Sequence, residues 1–290
     1  MQQALDKADG GQGRTGAGLQ SIPRNRRDGE TLVTFISHTV TSERVFLAES
    51  TKSSLDRFIL EQKQRRVLEK HGLKPKSKVL FWGPPGCGKT LTANLIGTEL
   101  GLPVGLVRLS SLITSYVGET AANLQRVFSI ASSTPMVLLL DEIDSIAKDR
   151  DDRNDVGELK RVVNSLLQAV DSFSCDKSIL VAASNHQYML DEAVWRRFDE
   201  VIEFPLPAHR ERQEFLRFLL SGVTFTASYT GVSRQLAGLS FADIEAVVYE
   251  AVKTKILEEH EAITSDAILR EIRAFKEKRK RARHRATRKP

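Results

Sequence analysis

The stretch GPPGCGKT at residues 83–90 does most to limit what this chain can fold into, because of where it stands. An apolar run, KVLFW, precedes it, and a helical-looking stretch, LTANLIGTEL, follows. G-x-x-x-x-G-K-[ST] in a strand-to-helix context is a phosphate-binding loop: glycines let backbone N–H groups curl around phosphate oxygens, and the helix N-terminus favours an anion. Gly83, Pro84, Pro85, Gly86, Cys87, Gly88, Lys89, Thr90 and Leu91 are the predicted nucleotide-contacting residues. Lys89 would reach the β- and γ-phosphates, and Thr90 would ligate Mg²⁺. Cys87, at a helix N-terminus beside a lysine, is expected to have a lowered thiol pKa and high reactivity.

A phosphate cradle hydrolyses nothing without acidic groups. MVLLLDEID at 136–144 supplies them: apolar residues make a buried strand, and Asp141 and Glu142 emerge at its C-terminal edge, where ligands collect in open α/β sheets. Asp141 is expected to hold Mg²⁺ and Glu142 to orient and deprotonate an attacking water.

The rest of the chain agrees with this reading. Residues 1–30 carry six glycines and few large apolar side chains, and are expected to be disordered. Residues 31–72 read as an extended arm followed by a linker helix with apolar positions at Leu55, Phe58, Ile59, Val67 and Leu68 and a stop at Gly72. From 73 to 207, short apolar runs alternate with amphipathic helices, which predicts a parallel sheet sandwiched by helices, an α/β fold of the P-loop type. Residues 208–277 read as a small all-helical lid, with helices near 208–221, 231–238, 240–259 and 264–279, and 278–290 as a basic tail.

Net charge is +6, yet the segment from Lys276 to Pro290 alone holds nine Lys or Arg against one Glu, so the remainder carries −2. The tail could meet nucleic acid, anionic lipid or an acidic partner, or stay solvated. No run is long and apolar enough to span a bilayer, the N-terminus lacks the apolar core of a signal peptide, and two cysteines suit a reducing compartment, so a cytoplasmic location is expected.

Taken together, the motifs resemble the AAA branch of the AAA+ ATPases, from about Leu73 to Val252. GPPGCGKT is similar to the family's GPPGTGKT, and LLLDEID to its second nucleotide motif. ILVAASNH ends in Asn185, where the family has a polar residue that senses the γ-phosphate. LDEAVWRRFDEVIEFPLP resembles the region whose arginines, here Arg196 and Arg197, reach a neighbouring subunit's nucleotide. GLSFADIEAVVYEAV resembles the lid helix, with Ala242 at the nucleotide and Phe241 where many relatives have Gly. The resemblance implies ATP and Mg²⁺ as ligands and a homo-oligomer, typically a hexamer. It also implies a pore loop, Tyr116, Val117 and Gly118, that grips polypeptide.

The leading expectation is a protein unfoldase or remodeller with a protein substrate, and a similarity to AAA proteins that accompany proteases points to a separate partner protease. The alternatives are a nucleic-acid-associated ATPase of the loader or transposition-regulator type, on the strength of the basic tail, and a nucleotide-dependent assembly switch.

Overall fold

A computed structural model describes residues 31–36, 39–112, 117–145, 156–173, 177–186 and 192–286. Six strands form one sheet: β1 (Thr34–Ile36), β2 (Lys78–Trp82), β3 (Val104–Arg108), β4 (Val137–Asp141), β5 (Ile179–Ser184) and β6 (Glu200–Glu203), in the order β1-β3-β4-β5-β2-β6. Five strands are parallel, as the alternating pattern predicts. The arm departs from it: β1 pairs antiparallel with β3, Phe35 opposite Gly105, so the sheet has one antiparallel edge. A free edge exposes unpaired backbone groups, and the arm covers this one.

Period-two alternation divides the strand residues between two cores. Leu80, Leu138, Leu140, Leu180 and Ala182 face one side, where they pack beneath α4 (Leu109–Leu112), α5 (Val117–Ser133) and α6 (Val156–Ser172). Val79, Phe81, Val137, Leu139, Ile179 and Val181 face the other, against α1 (Glu49–Lys63) and α3 (Lys89–Leu100). Both faces of the central strands are therefore dry, which is why those runs are continuously apolar. Each such side chain contributes roughly 1.5–3 kcal/mol on burial.

The linker is two helices rather than one. α1 buries Leu55, Phe58 and Ile59 at helical spacing, and the chain bends at Gln64 before α2 (Arg65–Lys70). Val67, expected on the apolar face, is 53% exposed, because the bend turns α2 away from the sheet. Gly72 does end the segment, at φ +73°.

A short helix, α7 (Glu192–Trp195), precedes β6; after β6 the chain is helical, and α8 (His209–Leu219), α9 (Tyr229–Gln235), α10 (Phe241–Leu257) and α11 (Ser265–Ala286) enclose a third core around Leu216, Leu236, Ile244, Val248 and Ile268. The helix predicted to stop near 279 continues to Ala286, into the segment read as a tail. Its sequence has no Gly or Pro, is rich in the strong helix formers Ala, Arg and Lys, and pairs Glu277 with Arg281 one turn on.

Candidate functional site

β2 lies inside the sheet between β5 and β6, so the loop that leaves it emerges at the C-terminal edge, surrounded by the ends of other strands. Gly83 passes so close to β6 that a Cβ there would lie 2.1 Å from the Phe204 carbonyl oxygen. Gly86, at φ +79°, faces the helical part of the molecule: a Cβ would come within 2.6 Å of Ser240 Oγ. Any side chain at either place would collide, so the glycines are required by the close approach as well as by the turn.

α3 begins at Lys89 behind Gly88. The Lys89 side chain is buried, and its ammonium donates to the carbonyl oxygens of Gly83 at 2.7 Å and Pro84 at 3.0 Å. Burial pulls its pKa below the ordinary lysine range, opposed by the nearby Asp141 and Asp144 carboxylates. Pro84, Pro85 and Leu91 complete the loop and its exit, and Leu91 remains 40% exposed.

Because α3 packs on β4, the two motifs meet. Thr90 Oγ1 donates to Asp141 Oδ2 at 3.2 Å. A hydroxyl and a carboxylate beside a phosphate loop form a hard oxygen donor set, which suits Mg²⁺. Glu142 follows at φ +56°, a left-handed conformation unusual for a glutamate; its backbone N–H donates to Asp141 Oδ1 at 2.9 Å. That turn leaves the Glu142 carboxylate exposed, where it accepts a hydrogen bond from Ser110 Oγ of α4 at 3.1 Å.

Asp144, a fully buried carboxylate that the sequence reading passed over, accepts from the Asn185 backbone N–H at 3.1 Å and from Ser184 Oγ at 3.3 Å. Asp144 thereby ties the turn after β4 to the end of β5, and Asn185 stands there beside the acidic turn. Its signal was present in DEID, three residues after Asp141, but an acid in a turn gives no hint of burial.

The helical part closes over the loop. Ser240 caps α10, and the Ala242 N–H donates to the Gly86 carbonyl at 3.1 Å. Phe241 points into the helical core and packs edge-on to Phe215 at 5.2 Å. The arm joins them: the Phe46 ring packs at a tilt against Phe215 and Phe218, with centroids 4.9 and 5.0 Å away, and Leu47 reaches within 3.6 Å of a Cβ placed on Gly88. Neither was legible beforehand, since an aromatic in a β-branched arm could face anything.

The two arginines differ. Arg196 is exposed and pairs with Glu192 one turn back. Arg197 is held inside its own subunit, donating through Nε to Asp171 Oδ2 of α6 at 3.0 Å and through Nη1 to the Ala193 carbonyl at 2.5 Å. Trp195 beside them meets Trp82, the last residue of β2, edge-on at 6.4 Å.

One expectation is overturned. Cys87 is 2% exposed, and burial pushes its thiol pKa up despite the neighbouring Lys89, with Asp243 acting in the same direction. Desolvation of a thiolate outweighs one nearby cation. In a Cys175→Ser background, iodoacetamide should therefore label Cys87 at neutral pH at least about tenfold more slowly than an exposed thiol. Labelling followed by mass spectrometry should accelerate as pH rises; rapid labelling at neutral pH would contradict the burial. Cys175 and Tyr116 lie outside the described residues, as do residues 146–155; Val117 and Gly118 begin α5.

Residues 79–206 match the family described as ATPase family associated with various cellular activities (AAA). The chain belongs to the AAA family of ATPases. It is 44% identical over 205 residues to the uncharacterized AAA family ATPase y4kL of Sinorhizobium fredii, covering 71% of this chain and 62% of that one. Proteasome-activating nucleotidases of Thermococcus onnurineus and Pyrococcus horikoshii are each 34% identical over 224 residues, 73% of this chain and 55% of theirs. The chain thus spans little more than half the length of these relatives. Among the described residues, no helix is long and apolar enough to cross a membrane.

Proposed function

We propose that this AAA ATPase is the motor of a ring-shaped, most simply hexameric, assembly that hydrolyses ATP to unfold or remodel protein substrates. The observation that carries the catalytic part is the Thr90–Asp141 contact, which brings the phosphate loop and the acidic strand end together beside Glu142. The 34% identity to proteins named proteasome-activating nucleotidase supports the unfoldase part and a separate protease as partner. A buried free thiol suits a reducing cytoplasm.

The chemistry assigned to the residues is as follows. Backbone N–H groups of 83–90 bind the phosphates, and Lys89 exchanges its two carbonyl partners for phosphate oxygens. Thr90 and Asp141 would hold a Mg²⁺ ion, whose charge offsets that of the β- and γ-phosphates. Glu142, released from Ser110, takes a proton from water as the water oxygen attacks the γ-phosphorus; the bond to the β–γ bridging oxygen breaks, giving ADP and phosphate. Asn185 orients the water or the γ-phosphate. Ala242 and Leu91 border the nucleoside, so the helical part would follow the nucleotide state through the Ala242–Gly86 hydrogen bond.

Work on a substrate is assigned to Tyr116, Val117 and Gly118, an aromatic and an aliphatic residue followed by glycine in the sequence. Apolar contact grips an extended chain of almost any sequence. Tyr116→Ala should keep basal ATPase, because it alters no phosphate, metal or arginine residue, and should lose stimulation by an unfolded polypeptide at least about fivefold, while Tyr116→Phe retains it. Steady-state phosphate release with and without unfolded casein reads both. Full stimulation of the alanine variant would exclude threading through this loop.

A further inference from the structure

Beyond the last turn that packs into the helical core, α11 continues as a charged rod. Ile268 and Ile272 are buried and Phe275 half-buried; Arg279, one turn further on the same inward face, reaches back to Asp243 Oδ2 at 2.6 Å. Asp243 is the residue that completes the α10 capping box with Ser240. This ion pair anchors the extension to the body instead of letting it fray.

A row of cations runs beside that anchor. Arg273, Lys276 and Lys280 are exposed and spaced three and four residues apart, so they share a flank over about 10 Å of helix. Lys276 Nζ donates to the Gln235 carbonyl at 2.7 Å, at the end of α9. The flank borders a pocket of about 260 Å³ lined by Ala237, Gly238, Leu239, Lys276, Arg279 and Lys280, with no acidic side chain among them. Glu277 borders the row, one turn from Arg273 and from Lys280, and its carboxylate is shared with Arg281 at 3.8 Å.

We propose that this flank is a sequence-independent binding surface for the phosphodiester backbone of a nucleic acid. Cations set in a row along an open surface suit repeated phosphates better than one enclosed ion. From Lys276 to Ala286 the only apolar residues are Ala282 and Ala286, so the rod has no apolar face with which to enter a bilayer. The pocket beside the flank has no aromatic lining of the kind that anchors a protein partner, and half of its lining residues are cations. The positive charge is concentrated at this end, +8 in residues 276–290 against −2 in all the rest, so long-range attraction of a polyanion favours this end.

The test uses the full chain and fluorescein-labelled duplex DNA and single-stranded RNA of about 30 nucleotides in anisotropy titrations across a salt series, where each neutralised phosphate adds roughly 0.9 to the slope of log K against log salt for a duplex. Both or either should bind, and two unrelated sequences should bind alike. Arg273→Gln/Lys280→Gln should weaken binding about tenfold and lower the duplex slope by about 2, with the melting temperature and basal ATPase unchanged. If that variant is poorly folded, Arg273→Lys/Lys280→Arg, which conserves charge, should bind as wild type does. An unchanged slope in the glutamine variant overturns the proposal. So does equally tight binding to phosphatidylserine vesicles, which would assign a membrane, or equal displacement by poly-aspartate, which would assign an acidic protein.

Discussion

Glu142→Gln should bind ATP as tightly as the wild-type chain and hydrolyse it at least about 100-fold more slowly, since a general base contributes roughly 10²–10⁴-fold. Lys89, Thr90 and Asp141 keep their contacts in this variant, so the phosphate and metal groups are untouched. The exchanged group is an exposed carboxylate, and the amide can still accept the Ser110 hydrogen bond, so folding should be unaffected. The unusual φ at Glu142 belongs to the backbone and would be retained. The amide, however, cannot take a proton from water at neutral pH. Equilibrium binding of a fluorescent ATP analogue and single-turnover phosphate release separate the two effects. Turnover near the wild-type rate would remove Glu142 from the chemistry and turn attention to Asp141.

Arg196→Ala should lower turnover by about 10³-fold while leaving nucleotide affinity of the isolated subunit and the melting temperature within error, the magnitude expected of an arginine that meets γ-phosphate charge only in the transition state. The structure separates this residue from Arg197. Arg196 is exposed and has one solvent-exposed partner, a pair worth little to stability, so it is free to serve a neighbour. Arg197 holds Asp171 and the Ala193 carbonyl, and removing it should loosen α6 against α7, lowering the melting temperature by a few degrees as well as the rate. Mixing decides whether the action is in trans. Arg196→Ala subunits with an intact Glu142 should recover hydrolysis when mixed with Glu142→Gln subunits, whose arginine is intact. A mixture as inactive as its components at every ratio would place Arg196 outside a neighbour's site.

The amino-acid sequence by itself determined the local pieces whose physics is local. Three glycines, a lysine and a threonine at fixed spacing announced a tight turn between a strand and a helix, and the apolar runs marked the five parallel strands because a strand buried on both faces must be apolar throughout. Leu55, Phe58 and Ile59 likewise announced their helix face. Tertiary structure alone decided whatever depends on a partner far away along the chain. Asp144 is buried because β4 and β5 are neighbours, Phe46 belongs to the helical core because the arm crosses it, and Arg197 is occupied because Asp171 stands opposite. The Cys87 thiol shows the same division most sharply. Its sequence neighbours predict an activated thiolate, and the packing around it raises the pKa instead, because desolvation is a sum over everything nearby in space and spacing along the chain carries no record of that sum.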